Sequence, residues 1–471
     1  MTDKNTPEVI SKIVDNNLCT GCGICVTECE NTLSMDFNKN GFYVPIQIND
    51  CDSLSNCIKV CPFNDKPIKE LANEDEINKS LNRDKFKKNE HLGNYLNLYA
   101  GHSIKHRKTS SSGGIATYVL SELLRNGEID YVISVKKNLA SGDSIYEYAL
   151  SGSVDQVNNS SKTKYYPVTL AKVLKIIEEK DANFAITGVP CFVKGIRLKQ
   201  FKNEIYKKRI KFVVGIFCGG LKSKFYTDYL INKTNYTPNK TQDITPLYRI
   251  KEAKSSGSSD YSFGVESQNK TISKVKMKSL PEMWGTGLFK ANACDFCDDL
   301  CAENADLSIG DAWIKPYVND GLGDNIVITR SELAEKYIQL GIENKELNLD
   351  LISSDLAVKS QSGNVTHRKK GLKLRLFLEA ISSRKNRKNN IIIKKRVKPS
   401  PFFGVSFWIV QILRRKVRKK SLDLWRESEN INQFESLISN DLKYLKIYTK
   451  IHQIIRKFYI KNIVKKIKTL L

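Results

Sequence analysis

The sequence predicts an α+β chain in three parts: a small cysteine-rich domain, an α/β body, and a helical, basic C-terminal tail. Three observations carry this. Seven of the twelve cysteines lie within the first 61 residues. Between Tyr95 and Leu340, short apolar runs of strand length alternate with stretches whose apolar residues recur at helical spacing. From Ile381 to the end, 24 Lys and Arg stand against 5 Asp and Glu, so +19 of the formal +25 falls in the last fifth of the chain. The expected segments are 1–72 for the cysteine domain, 73–94 for a linker, 95–180 and 181–345 for the two halves of the body, 346–400 for a helical, basic connection, and 401–471 for the tail.

The totals narrow the chemistry. A chain of 471 residues, 41% of them hydrophobic, can bury the cores of two to four domains. No stretch reaches the ~18 to 20 apolar residues of a spanning helix. The opening MTDKNTPEVISKIVDNN lacks the apolar centre of a signal peptide, so the expected location is cytoplasmic. Thiols stay reduced there, which turns twelve cysteines from a disulfide framework into candidates for metal ligation or redox chemistry. Five histidines, none in a zinc-enzyme motif, leave thiolate as the expected ligand.

In the first domain, Leu33–Phe37 and Gly41–Ile48 read as short strands. Cys19, Cys22, Cys25 and Cys29 are spaced C-x2-C-x2-C-x3-C, and Cys51, Cys57 and Cys61 follow, the last before Pro62. Zinc also takes C-x2-C pairs, but the x2, x2, x3 run with a later Cys-Pro is the iron-sulfur spacing. The arrangement resembles a two-cluster bacterial ferredoxin. That resemblance implies one 4Fe-4S cluster on Cys19, Cys22, Cys25 and Cys61, and a second cluster on Cys29, Cys51 and Cys57. Leu54 stands where the middle cysteine of the second group is expected, and leucine cannot ligate iron. Three thiolates suit a 3Fe-4S cluster, or a 4Fe-4S cluster whose fourth iron takes water or a carboxylate such as Asp52. Glu30 replaces the usual proline after the fourth cysteine.

The linker LANEDEINKSLNRDKFKKNEHLGN is charged, with some helix. In the body the pattern predicts strands over 98–104, 131–135, 184–187, 210–217 and 326–329, and helices over 115–125, 168–180 and 332–340. Residues 235–280, rich in Ser and Lys with scattered β-branched residues, suggest an antiparallel meander.

Five cysteines remain: Cys191 in TGVPC, Cys218 in IFCGG, and Cys294, Cys297 and Cys301 in ACDFCDDLC. The first two end predicted strands, where ligands gather in α/β sheets, although a buried core thiol is a common fate for a free cysteine. Together with SSSGGIATYVL (Ser110–Leu120), SKTKYYPV (Ser161–Val168), TGVPCFVKGIR (Thr187–Arg197), GIFCGG (Gly215–Gly220) and CDFCDDLCAENADLSIGDAW (Cys294–Trp313), these segments, in this order, resemble the coenzyme F-420 hydrogenase/dehydrogenase beta-subunit family over about residues 15–345. The resemblance implies a ferredoxin-like domain ahead of a flavin-binding body, with FAD and a further 4Fe-4S cluster on Cys191, Cys218, Cys294 and Cys297, Cys301 being spare. It also turns Ser111, Ser112, Gly113 and Gly114, which by themselves make an ordinary turn and N-cap, into a candidate seat for the FAD pyrophosphate at a helix start. Lys164, Tyr165 and Arg197 become candidate flavin or substrate contacts, and Asp311 a candidate wall of that pocket.

No G-x-G-x-x-G fingerprint follows a strand, so exchange with a deazaflavin, a ferredoxin or a small substrate is expected rather than with a nicotinamide. The tail carries PFFGVSFWIVQIL between cationic runs, too short to span but suited to an interfacial helix, so peripheral contact with the inner face of the cell membrane is the first expectation and packing on the body the second. No nucleic-acid fold signature is present. The expected function is an iron-sulfur flavoprotein oxidoreductase or electron-transfer subunit working with a redox partner protein or ferredoxin. The alternative is a non-redox accessory protein of surface-polysaccharide biosynthesis with structural clusters.

Overall fold

The computed structural model describes residues 6–51, 56–64, 71–139, 144–236, 244–252, 255–386 and 396–468, without the side chains of 383–386 and 459–468. Leu54 and Asp52 lie outside the described residues. The centre is an eight-stranded mixed sheet of β1 (Leu98–Ser103), β2 (Tyr131–Lys137), β3 (Tyr146–Ser151), β4 (Phe184–Gly188), β5 (Ile210–Ile216), β6 (Leu307–Asp311), β7 (Asn325–Thr329) and β8 (Leu347–Leu351). Their spatial order is β8-β1-β7-β6-β5-β4-β2-β3. β2, β4, β5 and β6 run parallel, while β7, β1 and β8 on one side and β3 on the other pair antiparallel. FAITG and IKFVVGI are near-continuous apolar runs because they form the middle of this sheet, covered on both faces.

The expected strands form, with ends displaced by a residue or two, and α1 spans Ile115–Arg125. Two strands are absent from the sequence pattern. β3 pairs with β2 at one edge, and β8 (LNLDL) is mostly exposed at the other, so the body sheet continues past the expected boundary at 345. A further surprise is α2 (Pro190–Lys202), which begins with Pro at its first turn. Ten of its residues are buried, from Pro190 to Gln200, so it carries no polar stripe that a 3.6-residue period would reveal. The meander is a three-stranded antiparallel sheet of Ile244–Lys251, Tyr261–Ser267 and Ile272–Lys276.

The cysteine domain is a hairpin of Leu33–Phe37 with Tyr43–Gln47 and two 3-10 turns, Ile24–Glu28 and Cys57–Val60. It is fastened to the body. Glu28 is held by Lys199 at 2.8 Å and by Lys202, both on α2, and Ile24 packs so close to Gly195 that a Cβ there would meet it at 2.4 Å. The linker helix Glu74–Ser80 is capped at its N-terminus by the reciprocal pair Asn73 and Glu76.

The tail consists of α3 (Val405–Glu427) and α4 (Ile431–Lys468). Ser406 meets His452 at 3.0 Å and Trp425 meets Phe434 at 5.2 Å between rings, so the two helices run antiparallel. Their apolar faces, with Val410, Val417, Leu422, Phe434, Ile438 and Leu445, join Tyr229 and Phe289 of the body in one core. Phe407 and Val410 of the apolar run are buried, whereas Phe402 is 89% exposed. Among the described residues no helix is long and apolar enough to cross a membrane.

Candidate functional site

Three nests of thiols gather where the cysteine domain meets the body. Cys19, Cys22, Cys25 and Cys61 line one small cavity of about 20 Å3, walled by Val9, Ile13 and Phe63. The loop that wraps it, Cys-Thr-Gly-Cys-Gly-Ile-Cys, turns on two left-handed glycines, Gly21 at φ 74° and Gly23 at φ 78°. A Cβ on Gly23 would lie 2.0 Å from Thr169 Oγ1. Burial raises all four thiols, and their mutual proximity raises Cys19, Cys25 and Cys61 further; Cys61 is pushed up to about 12. The Gly21 N–H donates to Cys19 Sγ at 3.4 Å, and the backbone of Phe63 and Asn64 donates to Cys61.

Cys29, Cys51 and Cys57 form the second group. Burial raises Cys29 and then Cys51 beside it does so, while Cys57 is pushed up to about 12 by burial and by Cys29 and Cys51. The third nest, around a cavity of about 10 Å3, is lined by Cys191 at the start of α2, Cys218 after β5, and Cys294 and Cys297 in the loop before β6. Burial is again the main force raising Cys191, Cys218 and Cys294, and the sulfurs act on one another. Cys218, Cys297 and Cys294 raise Cys191; Cys297 raises Cys218; and Cys218 raises Cys294, which is pushed up to about 11. The Leu221 N–H donates to Cys294 Sγ at 3.1 Å. Cys301 turns away into the core against Leu92, accepting from Arg330 at 3.5 Å.

Among the described residues no three His, Cys, Asp or Glu side chains close on a single metal ion. A cubane takes four thiolates around one site, and the first and third nests each bring four cysteines to one cavity. Buried thiols ionise only beside compensating positive charge, which a bound iron would supply while displacing the protons. Each nest also aims backbone N–H groups at its sulfurs, as cluster thiolates require. Thr20 and Phe63 line both the first and the third cavity.

Sequence reasoning missed Arg368. It sits on the wall of the third nest, donating to Cys218 O at 2.5 Å and to Cys297 O at 3.4 Å, and the neighbouring sulfurs hold its guanidinium firmly charged. HRKKG around it carries no motif; only the fold of the helix after β8 brings it here.

Ser110–Gly114 opens α1 as anticipated. Gly114 has φ 79°, and a Cβ on Gly113 would lie 2.6 Å from Gly101 O, so the loop lies flat on β1. Ser112 Oγ donates to Asp324 O at 2.9 Å, and Ser111 Oγ accepts from the Thr163 N–H at 2.9 Å, which ties the Lys162–Tyr165 segment to the loop. Lys164 donates to Ser160 O, and burial, then Lys162 and Lys136, lowers its amine to about 8. On the other side Lys251 donates to Arg107 O and Ser112 O; burial, then Arg249 and Arg107, lowers it to about 7. Lys164 forms no ion pair with a carboxylate among the described residues, and the one carboxylate acting on Lys251, Asp311, is itself paired with Arg249, so the cations crowd one another around the loop, an environment that an anion would relieve. Tyr165 packs edge-on to Trp284 at 4.8 Å, and Trp284 lies against Gly219 beside Cys218. Asp311 pairs with Arg249 at 2.7 Å. Arg197 is elsewhere: buried in α2, its three nitrogens donate to Asn304 O, Gln200 and Asp306.

Residues 98–175 match the family model for the coenzyme F420 hydrogenase/dehydrogenase beta subunit N-terminus, and residues 181–355 the model for its C terminus. A component of the F(420)H(2) dehydrogenase of Methanosarcina mazei is 23% identical over 382 residues, covering 77% of this chain and 94% of its own. The coenzyme F420-dependent sulfite reductase of Methanocaldococcus jannaschii is 25% identical over 364 residues, 73% of this chain but 49% of its own, so the chain spans about half the length of that relative. A solved chain of the F420-reducing [NiFe] hydrogenase complex from Methanosarcina barkeri is similar over 61% of this chain and 94% of its own, at 18% identity and a TM-score of 0.45.

Proposed function

Because the chain belongs to the coenzyme F420 hydrogenase/dehydrogenase beta-subunit family, we propose that it is an iron-sulfur flavoprotein oxidoreductase or electron-transfer subunit, moving electrons between ferredoxin-like clusters and FAD and onward to a deazaflavin, a ferredoxin or a small substrate. The observation that carries the reading is the sorting of eleven of the twelve cysteines into three nests. Cys19, Cys22, Cys25 and Cys61 would hold one 4Fe-4S cluster, Cys29, Cys51 and Cys57 a 3Fe-4S or 4Fe-4S cluster, and Cys191, Cys218, Cys294 and Cys297 a 4Fe-4S cluster in the body.

Ser111, Ser112, Gly113 and Gly114 would seat the FAD pyrophosphate with Lys164 and Lys251 supplying charge, and Tyr165 with Trp284 would cover the ring. A flavin bound there exchanges electron pairs with a deazaflavin and single electrons with clusters. The chain's own part is to hold the groups in fixed order. Thr20 and Phe63, which line both the first and the third cavity, would keep water out between them, and Arg368 places a permanent cation against the third. Arg197, pinned by Asp306 and Asn304, would act by holding α2 and Cys191 in place rather than by touching flavin.

Anaerobic purification with iron, sulfide and flavin counted per chain tests the reading. About 11 to 12 irons and one FAD are expected. A colourless, metal-free preparation unable to retain flavin would overturn it.

A further inference from the structure

A groove of about 810 Å3 opens on the surface beside the first nest, with Cys19 in its wall. One side is the cysteine domain, with Asn17 and Lys39; the other is α3, with Arg415, Lys419 and Arg426. On a helix these three positions, four and seven residues apart, fall on one face and span ~16 Å. Arg415 is paired with Glu379 at 3.1 Å and Arg426 with Asp423 at 2.6 Å, and Arg418, also in the lining, is turned inward to Asp295. Lys39 and Lys419 are exposed on opposite walls and have no carboxylate partner among the described residues. Lys39 and Lys419 lie outside residues 98–175 and 181–355, the parts the family models match, while Ala291, Asn292 and Phe296 of the lining lie within the second. Part of the basic excess of the tail is therefore brought by α3 to the nest whose Cys19 lines this opening.

We propose that this groove is the docking surface for an acidic one-electron carrier protein, which passes its electron to the cluster on Cys19, Cys22, Cys25 and Cys61; the idea rests on the cluster reading above. The carrier is oxidised by one electron, the cluster is reduced by one, and no proton or bond changes hands. The row of cations is longer than a small ligand needs and matches a patch of carboxylates on a protein. Opposite charge across the contact raises the encounter rate and sets orientation. Half-buried Cys19, against buried Cys22, Cys25 and Cys61, makes this the side from which the cluster is nearest to a docked surface.

The test uses the full-length protein prepared without oxygen and a purified acidic 4Fe-4S ferredoxin as probe, with affinity read by calorimetry and reduction of the protein by stopped-flow absorbance. Lys39→Glu with Lys419→Glu should weaken binding about tenfold or more and slow reduction by ferredoxin in proportion, while reduction by dithionite stays unchanged. Raising salt from about 0.1 M to 1 M should weaken the wild-type complex likewise. Lys446→Glu, on the exposed side of α4, is the control and should change nothing. Unchanged affinity in the double variant, or an equal loss in the control, overturns the proposal. So does saturation of the groove by inorganic pyrophosphate with ferredoxin binding undisturbed, which would assign it to a small anion. Affinity is read independently of iron content, so a metal-free chain that still binds ferredoxin through these lysines would sink the cluster reading and leave the docking surface standing.

Discussion

Cys218 and Arg368 lie against each other although 150 residues separate them, and the pair illustrates which side chains a sequence reveals. Ligand spacing within a loop is local, so Cys19 to Cys25 and Cys294 to Cys297 were legible as groups. Which distant thiol completes each nest came from family resemblance, and Arg368 was not legible at all. Cys218→Ser should remove about four irons per chain and leave the signal of the N-terminal nests intact; iron analysis with EPR checks this, and unchanged iron content would remove Cys218 from the ligand set. A second expectation concerns Lys164. Its amine, lowered by burial to about 8, is charged below that pH and neutral above it. If the charge holds the FAD phosphates, affinity falls as pH rises through 8. Lys164→Met should weaken binding at pH 7 about tenfold or more, the loss of one hydrogen bond to a charged group, and flatten the pH profile. Equilibrium fluorescence titration of FAD reads both.

At the scale of elements, α1 and the central strands were legible because their periods are clean. α2 was not, because a helix enclosed on every side has no polar face to mark its period. The same enclosure makes it the fastening between domain and body. Its Lys199 side chain is 3% exposed and its partner Glu28 is 8% exposed. Glu28→Ala would leave Lys199 with only Glu178 at 3.6 Å and Lys202 without Glu28, so it should destabilise by ~3 kcal/mol, the low end for breaking a buried pair. A thermal midpoint unchanged from the wild type would show that the Glu28 ion pairs do not secure the domain.

At the scale of the whole molecule, the sequence left two uses open for the tail, a lipid surface and a protein core. An apolar run flanked by cations fits a lipid surface and a protein core equally well by composition, and only packing separates the two. Here Phe434, Ile438 and Leu445 share a core with Tyr229 and Phe289, each buried side chain contributing roughly 1.5 to 3 kcal/mol. Deleting 401–471 should therefore expose that face, lower the thermal midpoint and raise binding of an apolar dye. A truncated chain as stable as the full one would return the tail to the membrane surface.

The wall that Thr20 and Phe63 lend to two cavities at once has a mechanical consequence. A carrier module on a tether must swing between donor and acceptor, and its turnover slows as the medium thickens. A lobe that shares side chains with its acceptor has no such stroke to make, so the internal hop should proceed at one speed in buffer and in concentrated glycerol, with only the arrival of the outside carrier feeling the viscosity.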